Sequence, residues 1–294
     1  YIGNLYLTNS NKTIKILIMN TSFEILDFVV FSIYGLIILG VGLWVSRDEK
    51  GKTKSAEDYF LASKSLPWWA IGASLIAANI SAEQFIGMSG SGFAVGLAIA
   101  SYEWMAALTL IIVGKFFLPI FIDKQIYTIP EFVEKRFSSQ LKTILAIFWI
   151  GLYIFVNLTS VLYLGGLALE TILGIELIQG VIGLALFAAA YSLYGGLSAV
   201  AWTDIIQVVV LVFGGLITSY LALNTVSGGE GMIKGLYSLY EIVPEKFDMI
   251  LDKSNPEYIN LPGIGVLIGG MWVANLYYWG FNQYIIQRTL ASKS

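Results

Sequence analysis

Long apolar runs divide the chain into segments that are each long enough to cross a membrane. The hydrocarbon core of a bilayer takes about 20 apolar residues as a helix, and these runs lack the strict alternation of a membrane strand. The pattern therefore predicts an all-α, polytopic transmembrane helical bundle of seven helices. The runs cover about 28–45, 67–95, 97–121, 143–169, 177–202, 205–224 and 263–286.

The polar stretches set the organisation of the chain. Residues 1–22 form a polar N-terminal segment, and residues 23–294 form one helical domain. Met19 offers an alternative start, so residues 1–18 are interpreted as a leader or an upstream translation artefact. The connection 225–262 contains three prolines, which predict a loop with a short helix.

Composition narrows the class further. Hydrophobic residues make up 57% of the 294 residues and charged residues 13%, whereas an average soluble domain carries about 25% charged residues. This excludes a soluble domain, a disordered chain and a coiled coil. A net charge of −3 gives no support for a nucleic acid partner. The chain has no cysteine and no histidine, so a binding site must use carboxylates, amides, hydroxyl groups, aromatic rings and the backbone.

Lysine and arginine concentrate on alternate connections. The stretches 46–66, 122–142 and 288–294 carry five, four and two of them. The stretch 170–176 holds only two glutamates as charged residues, and 225–262 has three lysines against six acids. Because cytoplasmic loops carry the excess of positive charge, we predict a cytoplasmic basic side and an extracellular N-terminus.

The second run has polar side chains near its middle. Residues 77–84 read Ala-Ala-Asn-Ile-Ser-Ala-Glu-Gln. A charged side chain at mid-membrane costs about 2.5–3.5 kcal/mol, so it must face protein or water. Small and polar residues allow a helix to unwind where it lines a cavity. Glu83 and Gln84 point about 100° apart on a regular helix, so both face a cavity only if the helix is broken; a helix-packing role for Glu83 stays open.

The seventh run repeats this design in the opposite direction. It opens with Pro262 and four glycines, and Asn275 lies at its centre beside aromatic residues. Two discontinuous helices, five helices apart and inverted, predict a binding site near the membrane midplane. The spacing predicts four more helices after Ser294, so the chain is interpreted as a fragment with the first repeat and the first helix of the second. Glycines that only allow close helix packing are the alternative.

Several sequence blocks occur in the order found in a known family. They are Glu57-Asp58-Tyr59-Phe60-Leu61-Ala62, Leu75 through Gly87, Ser101-Tyr102-Glu103-Trp104, Ile129-Pro130-Glu131-Phe132, Tyr194-Gly195-Gly196-Leu197-Ser198-Ala199, Trp202-Thr203-Asp204 and Asn282 through Arg288. Together they resemble the sodium:solute symporter family, and within it the bacterial sodium/galactose (sodium/glucose-type) carriers. The resemblance implies a five-plus-five inverted-repeat (LeuT-like) transporter fold, with residues 23–294 as a partial transporter domain.

The resemblance also implies a set of substrate-binding residues. It assigns hydrogen bonds with the sugar to Gln84, Glu103 and Asn275, whose amide and carboxylate groups suit hydroxyl groups that donate and accept. It makes Tyr278 an inner gate that stacks on the sugar, supported by a hydrogen bond from Asn79. A snorkelling or packed carboxylate is the alternative for Glu103. The remaining predicted contacts are Tyr102, Met88 and Glu83.

Sodium is the implied co-substrate. The resemblance places the ion at the carbonyl groups of Ala77 and Ile80, which an unwound helix leaves free, with its other ligands beyond Ser294. It places Asp204 on the ion's exit path, between helices five and six; a solvated interfacial aspartate is the alternative. Ala106 departs from the family pattern, because the sugar carriers have a serine there.

These observations predict a transporter rather than an enzyme. The expected function is sodium-coupled symport of galactose or glucose by alternating access, as a multi-pass protein of the bacterial inner membrane with its Ser294 end in the cytoplasm. The expected partners are the sugar, Na⁺ and the lipid bilayer, and a homodimer is left open. The alternatives are another neutral solute such as a polyol or an amino acid, proton coupling through Glu83 or Glu103, and a membrane sensor.

Overall fold

The structure is a computed structural model that is almost entirely helical. Two antiparallel strands, Leu7–Asn9 and Lys12–Ile14, are the described part of the polar N-terminal segment. Apart from these two strands, the predicted leader lies outside the described residues, and so does Pro262. The structure describes residues 7–9, 12–14, 24–47, 55–261 and 263–292.

Within these ranges, four helices are long and apolar enough to cross a membrane. They are Ile25–Val45, Ala98–Asp123, Ser139–Leu173 and Leu177–Val226. The first three match the predicted first, third and fourth runs. Two of them contain a π-helical stretch, Val113–Phe117 and Tyr153–Leu158.

The helix Leu177–Val226 contains two membrane passes. Its 50 residues would extend about 75 Å as one straight helix, more than twice the hydrocarbon thickness of about 30 Å. The helix breaks at Gly196, whose φ of 58° and ψ of −152° only glycine adopts easily. A Cβ atom there would lie 2.4 Å from the Tyr59 carbonyl oxygen. The Tyr59 hydroxyl group donates to the Leu193 carbonyl at 3.1 Å.

The predicted boundary at 203–204 between the fifth and sixth runs is therefore wrong. The helix continues through Thr203 and Asp204, both of which are buried. The Thr203 hydroxyl group donates to the Val200 carbonyl at 2.9 Å. The polar pair Thr203-Asp204 therefore makes buried contacts inside the protein. The turn between the two membrane passes lies at the earlier glycine pair, Gly195-Gly196.

Two helices are interrupted, as predicted, the first near its middle and the second at Asn282, near the end of the predicted run 263–286. The first broken helix consists of Trp68–Asn79, an extended Ile80, and the stretch Glu83–Val95, whose first turn Glu83–Met88 is π-helical. The second broken helix consists of Gly270–Leu276 and the π-helical Tyr277–Phe281, an extended Asn282, and Gln283–Leu290. A bend of 78° separates Gly270–Phe281 from the preceding Pro256–Ile268 segment, which ends in the short helix Ile264–Ile268.

The basic stretches meet at one end of the bundle, here called the basic end. The Leu66 amide donates to the Ala291 carbonyl at 3.3 Å, and the Ile129 amide donates to Gln283 Oε1 at 2.8 Å. These contacts confirm that the three basic stretches share one side. A core that includes Leu61, Phe121, Ile285 and Ile286 fills this end.

The connection within 225–262, here called the acidic loop for its six acids against three lysines, lies at the opposite end. Its predicted short helix is Met232–Ile242, and the Leu97 amide donates to the Lys246 carbonyl at 2.7 Å, which ties the loop to the end of the first broken helix. The remaining short elements are the helices Ala56–Leu61 and Ile129–Arg136 and the 3₁₀ turns Ala62–Lys64, Pro244–Phe247 and Pro256–Ile259.

Candidate functional site

A cavity of about 790 Å³ lies between the two broken helices. The helices Ala98–Asp123 and Ser139–Leu173 complete its walls. Its volume is in the range of small-molecule sites, about 300–1,000 Å³. The predicted residues that line it are Asn79, Glu83, Gln84, Tyr102, Glu103, Asn275 and Tyr278, together with Ala106.

At the first break, the Gln84 side chain accepts the hydrogen bond that a backbone carbonyl would accept in a continuous helix. The Ser81 amide donates to Gln84 Oε1 at 2.7 Å, and the Ser81 hydroxyl group donates to the same oxygen at 3.0 Å. In a continuous helix the Ser81 amide would bond to the Ala77 carbonyl. Gln84 replaces that carbonyl as the acceptor, so the Ala77 oxygen is released.

A second carbonyl is released in the same way. The Gln84 amide donates to the Ser81 carbonyl at 3.1 Å, rather than to the Ile80 carbonyl four residues before it. Within the described ranges, neither the Ala77 nor the Ile80 oxygen accepts a hydrogen bond from a backbone amide. These are the two predicted sodium ligands. They offer the neutral oxygen atoms that a hard cation accepts at an unwound helix.

Polar groups remain available to a solute in the cavity. The break lets both Glu83 and Gln84 line the cavity. Gln84 uses its oxygen at the break, and its NH₂ group donates to no described residue. Asn275 is 9% exposed, and its Nδ2 donates to the Met271 carbonyl at 3.1 Å, which leaves Oδ1 as an acceptor. Glu103 stands one turn into the next helix with its carboxylate exposed.

The predicted gate tyrosine has a different partner from the expected one. The hydroxyl groups of Tyr278 and Tyr284 lie 2.8 Å apart and share a hydrogen bond. Asn79 lines the same cavity but does not hold Tyr278 in this conformation. The described contacts include no Asn79–Tyr278 hydrogen bond in this conformation, and the gate-supporting role of Asn79 stays a prediction.

An aromatic group beside the second break was missed from the sequence. The Tyr153 hydroxyl group donates to Asn282 Oδ1 at 2.8 Å, directly at the break. Trp149 stacks on Tyr277 with ring centroids 5.3 Å apart and an interplanar angle of 5°. The polar pair that follows the apolar stretch 271–281 is the one signal in the sequence that could have identified this break.

Four predicted residues are not among those that line the cavity: Ala77 and Ile80 at the first break, Met88 and Asp204. Met88 belongs to the π-helical turn but is not among the residues that line the cavity, because the turn directs other positions inward. Asp204 is 6% exposed and accepts a hydrogen bond from the Ser74 hydroxyl group at 2.5 Å. The alternative of a solvated interfacial aspartate is therefore wrong.

The sequence of helices and the cavity fit a known family. Residues 59–294 match the profile of the Sodium:solute symporter family. The chain belongs to this family. Membership confirms the predicted resemblance and the multi-pass membrane class, and the family is one of transporters rather than enzymes.

Curated relatives extend beyond this chain. It is 74% identical over 269 residues to the sodium/glucose cotransporter of Vibrio parahaemolyticus, covering 92% of this chain and 50% of that protein. It is 34% identical to the human sodium/myo-inositol cotransporter 2, covering 91% of this chain and 41% of that protein. The chain thus spans half or less of the length of these relatives.

A solved structure shares the fold. It is the substrate-bound outward-open state of a Na⁺-coupled sialic acid symporter, and it matches with a TM-score of 0.78 at 24% identity. The match covers 93% of this chain and 55% of that one. This agrees with the predicted inverted-repeat (LeuT-like) transporter fold.

Proposed function

We propose that the chain is part of a sodium-coupled sugar symporter, with galactose or glucose as the substrate. The observation that carries this proposal is the convergence of Gln84, Glu103 and Asn275 on one cavity between the two broken helices. The sodium/glucose cotransporter of Vibrio parahaemolyticus, 74% identical over the shared part, supports it.

The polar groups in the cavity would supply both donors and acceptors to the hydroxyl groups of a sugar. The Gln84 NH₂ group donates, while Asn275 Oδ1 and the Glu103 carboxylate accept, so a hydroxyl group can donate and accept at once. Tyr278 offers an aromatic face to the C–H surface of the ring. Tyr102 and Glu83 complete the proposed contacts on the cavity wall.

Sodium would bind at the first break. The carbonyl oxygens of Ala77 and Ile80 have no backbone amide donor there, and Asp204 is the proposed residue on the exit path of the ion. One sodium ion crossing about 100 mV supplies about 2.3 kcal/mol, and a tenfold gradient adds about 1.4 kcal/mol. At one-to-one coupling these terms support sugar accumulation of about several hundredfold.

A packed core that includes Leu61, Phe121, Ile285 and Ile286 fills the basic end. We propose that this core closes that side in this conformation, and that the solute exchanges with the opposite side in a cycle of alternating access. We propose that the basic end faces the cytoplasm of a bacterial inner membrane, with the N-terminus and the acidic loop outside. A homodimer in that membrane remains a prediction.

A cyclic polyol is the second candidate substrate. Ala106 lines the cavity and provides no hydroxyl group where the family's sugar carriers have a serine. The human sodium/myo-inositol cotransporter 2, at 34% identity, supports a polyol within the same fold.

Uptake by vesicles that contain the full-length protein tests the proposal. We expect sodium-stimulated uptake of labelled galactose or glucose that exceeds uptake of myo-inositol. A larger flux of myo-inositol would favour the polyol. Sugar uptake that persists in sodium-free buffer would establish proton coupling instead, and no sodium-stimulated flux of either solute would refute the proposal.

A further inference from the structure

A buried polar cluster lies at the basic end, outside the cavity. It joins Ser74 on the first broken helix, Asp204 on the helix that follows Gly196, and Arg288 on the second broken helix. Ser74 is 1% exposed and Asp204 6%. The Ser74 hydroxyl group donates to Asp204 Oδ2 at 2.5 Å.

Arg288 is the member that touches the most partners. Its Nε donates to Ser74 Oγ at 2.9 Å and lies 3.8 Å from Asp204 Oδ2. Its Nη1 donates to the Tyr284 carbonyl at 2.5 Å. Tyr284 in turn shares its hydroxyl hydrogen bond with Tyr278 at the cavity. One cation thus connects the closed end to the cavity floor.

The burial of opposite charges makes this contact sensitive to separation. A buried ion pair adds little net stability, but removal of one partner is strongly destabilising because the other charge stays buried and unpaired. Movement of the Gln283–Leu290 segment away from Trp68–Asn79 would separate Arg288 from Ser74 and Asp204. The cluster therefore favours one arrangement of the two segments.

We propose that Ser74, Asp204 and Arg288 form a latch that holds the basic end closed, with Arg288 as a positioning residue for Tyr284 beneath the cavity. The latch rests on the proposed alternating access, but on no particular solute. Opening of the basic end requires the Arg288–Asp204 contact to break.

Labelling of a buried cysteine tests the latch. Ala291 is 0% exposed at the basic end, and the described chain has no native cysteine. In the full-length protein, the rate of maleimide labelling of Ala291→Cys, corrected for the protein without it, reports opening. Arg288→Gln and Asp204→Asn should each raise this rate by about fivefold or more. Arg288→Lys, which keeps the charge, should raise it less.

A matched control uses another ion pair at the same end. Lys64 and Glu57 are 3.2 Å apart, with side chains 37% and 45% exposed, so Glu57→Gln should leave the labelling rate unchanged. The double variant Asp204→Asn/Arg288→Gln should label no faster than the faster single variant, because both changes remove one interaction.

Two results would overturn the latch. One is a parental labelling rate in both neutralised variants; the other is a double variant whose two effects multiply. Where Arg288→Gln does not fold, Ser74→Ala removes the bridging hydroxyl group without leaving a new charge, and an unchanged rate there counts equally against the latch. Labelling requires no transport, so the result is independent of whether the protein carries a sugar.

Discussion

The two broken helices share a backbone design but differ in what holds each break. Each has an extended residue close to a π-helical turn: Ile80 lies three residues before the turn that begins at Glu83, and Asn282 directly follows Tyr277–Phe281. The first break is closed locally by Gln84 on Ser81, which releases backbone carbonyls. The second is held from outside, where Tyr153 donates to Asn282 Oδ1.

This difference indicates different roles for the two helices. The first broken helix carries the proposed ligands, because the Ala77 and Ile80 carbonyls accept no backbone amide and Gln84 lines the cavity. The second broken helix carries the Tyr278 ring on one side of its break and, on the other, a segment anchored by Gln283, Gln287 and Arg288. We expect this segment to move as a unit when those anchors are released.

The largest expected effect comes from Gln84. Gln84→Ala removes both the acceptor that closes the first break and the donor to the solute, so we expect sugar affinity to fall at least about tenfold, since an unpaired buried polar group costs about 1–3 kcal/mol. Gln84→Glu keeps the acceptor and should retain sodium affinity while it loses sugar affinity. Equilibrium binding of both solutes measures this, and equal loss of sodium affinity in the two variants would contradict the division of roles.

Much of this first site could be predicted from the sequence. Asn79, Glu83 and Gln84 are conspicuous as polar side chains in an apolar run, and mid-membrane polarity is costly enough to be informative. The role of Ser81 in the closure of the break could not be predicted, because it depends on which acceptor the Ser81 amide finds. The Tyr284 partner of Tyr278 was missed for the same reason.

A smaller effect is expected at the second break. Tyr153→Phe keeps the ring but removes the hydroxyl hydrogen bond with Asn282, which is worth about 0.5–1.5 kcal/mol. We expect about a two- to tenfold change in the maximal uptake rate with sodium affinity unchanged. The exposed Tyr163→Phe is the matched control. If Tyr153→Phe instead altered sodium affinity alone, the second break would resemble the first in role.

The smallest expected effect concerns an anchor of the Gln283–Leu290 segment. Gln287 Nε2 donates to the Phe60 carbonyl at 2.7 Å in an exposed setting, so Gln287→Ala should lower the thermal midpoint only slightly and change uptake by about twofold or less. Thermal unfolding in detergent and vesicle uptake measure these quantities. A loss of uptake as large as that of Gln84→Ala would mean that the anchors, and not the ligands, dominate the site.

The positions of Gly196 and Asp204 show where prediction from the sequence failed. A polar Thr203-Asp204 pair between two apolar runs has the pattern of a loop, but Ser74 and Arg288 satisfy Asp204 from distant parts of the chain. Such partners come together only through tertiary packing. The true turn depends on the positive φ at Gly196. The sequence does not reveal this, because Gly196 is one of many glycines in apolar runs.

The central claim is that the cavity and the first break form one coupled site for sugar and sodium. Calorimetric titration of the purified full-length protein with galactose, in sodium and then in N-methylglucamine buffer, tests this claim most directly. Coupling of two sites changes affinity by about 5–150-fold, so we predict at least fivefold weaker galactose binding without sodium. The same dissociation constant in both buffers would contradict the account.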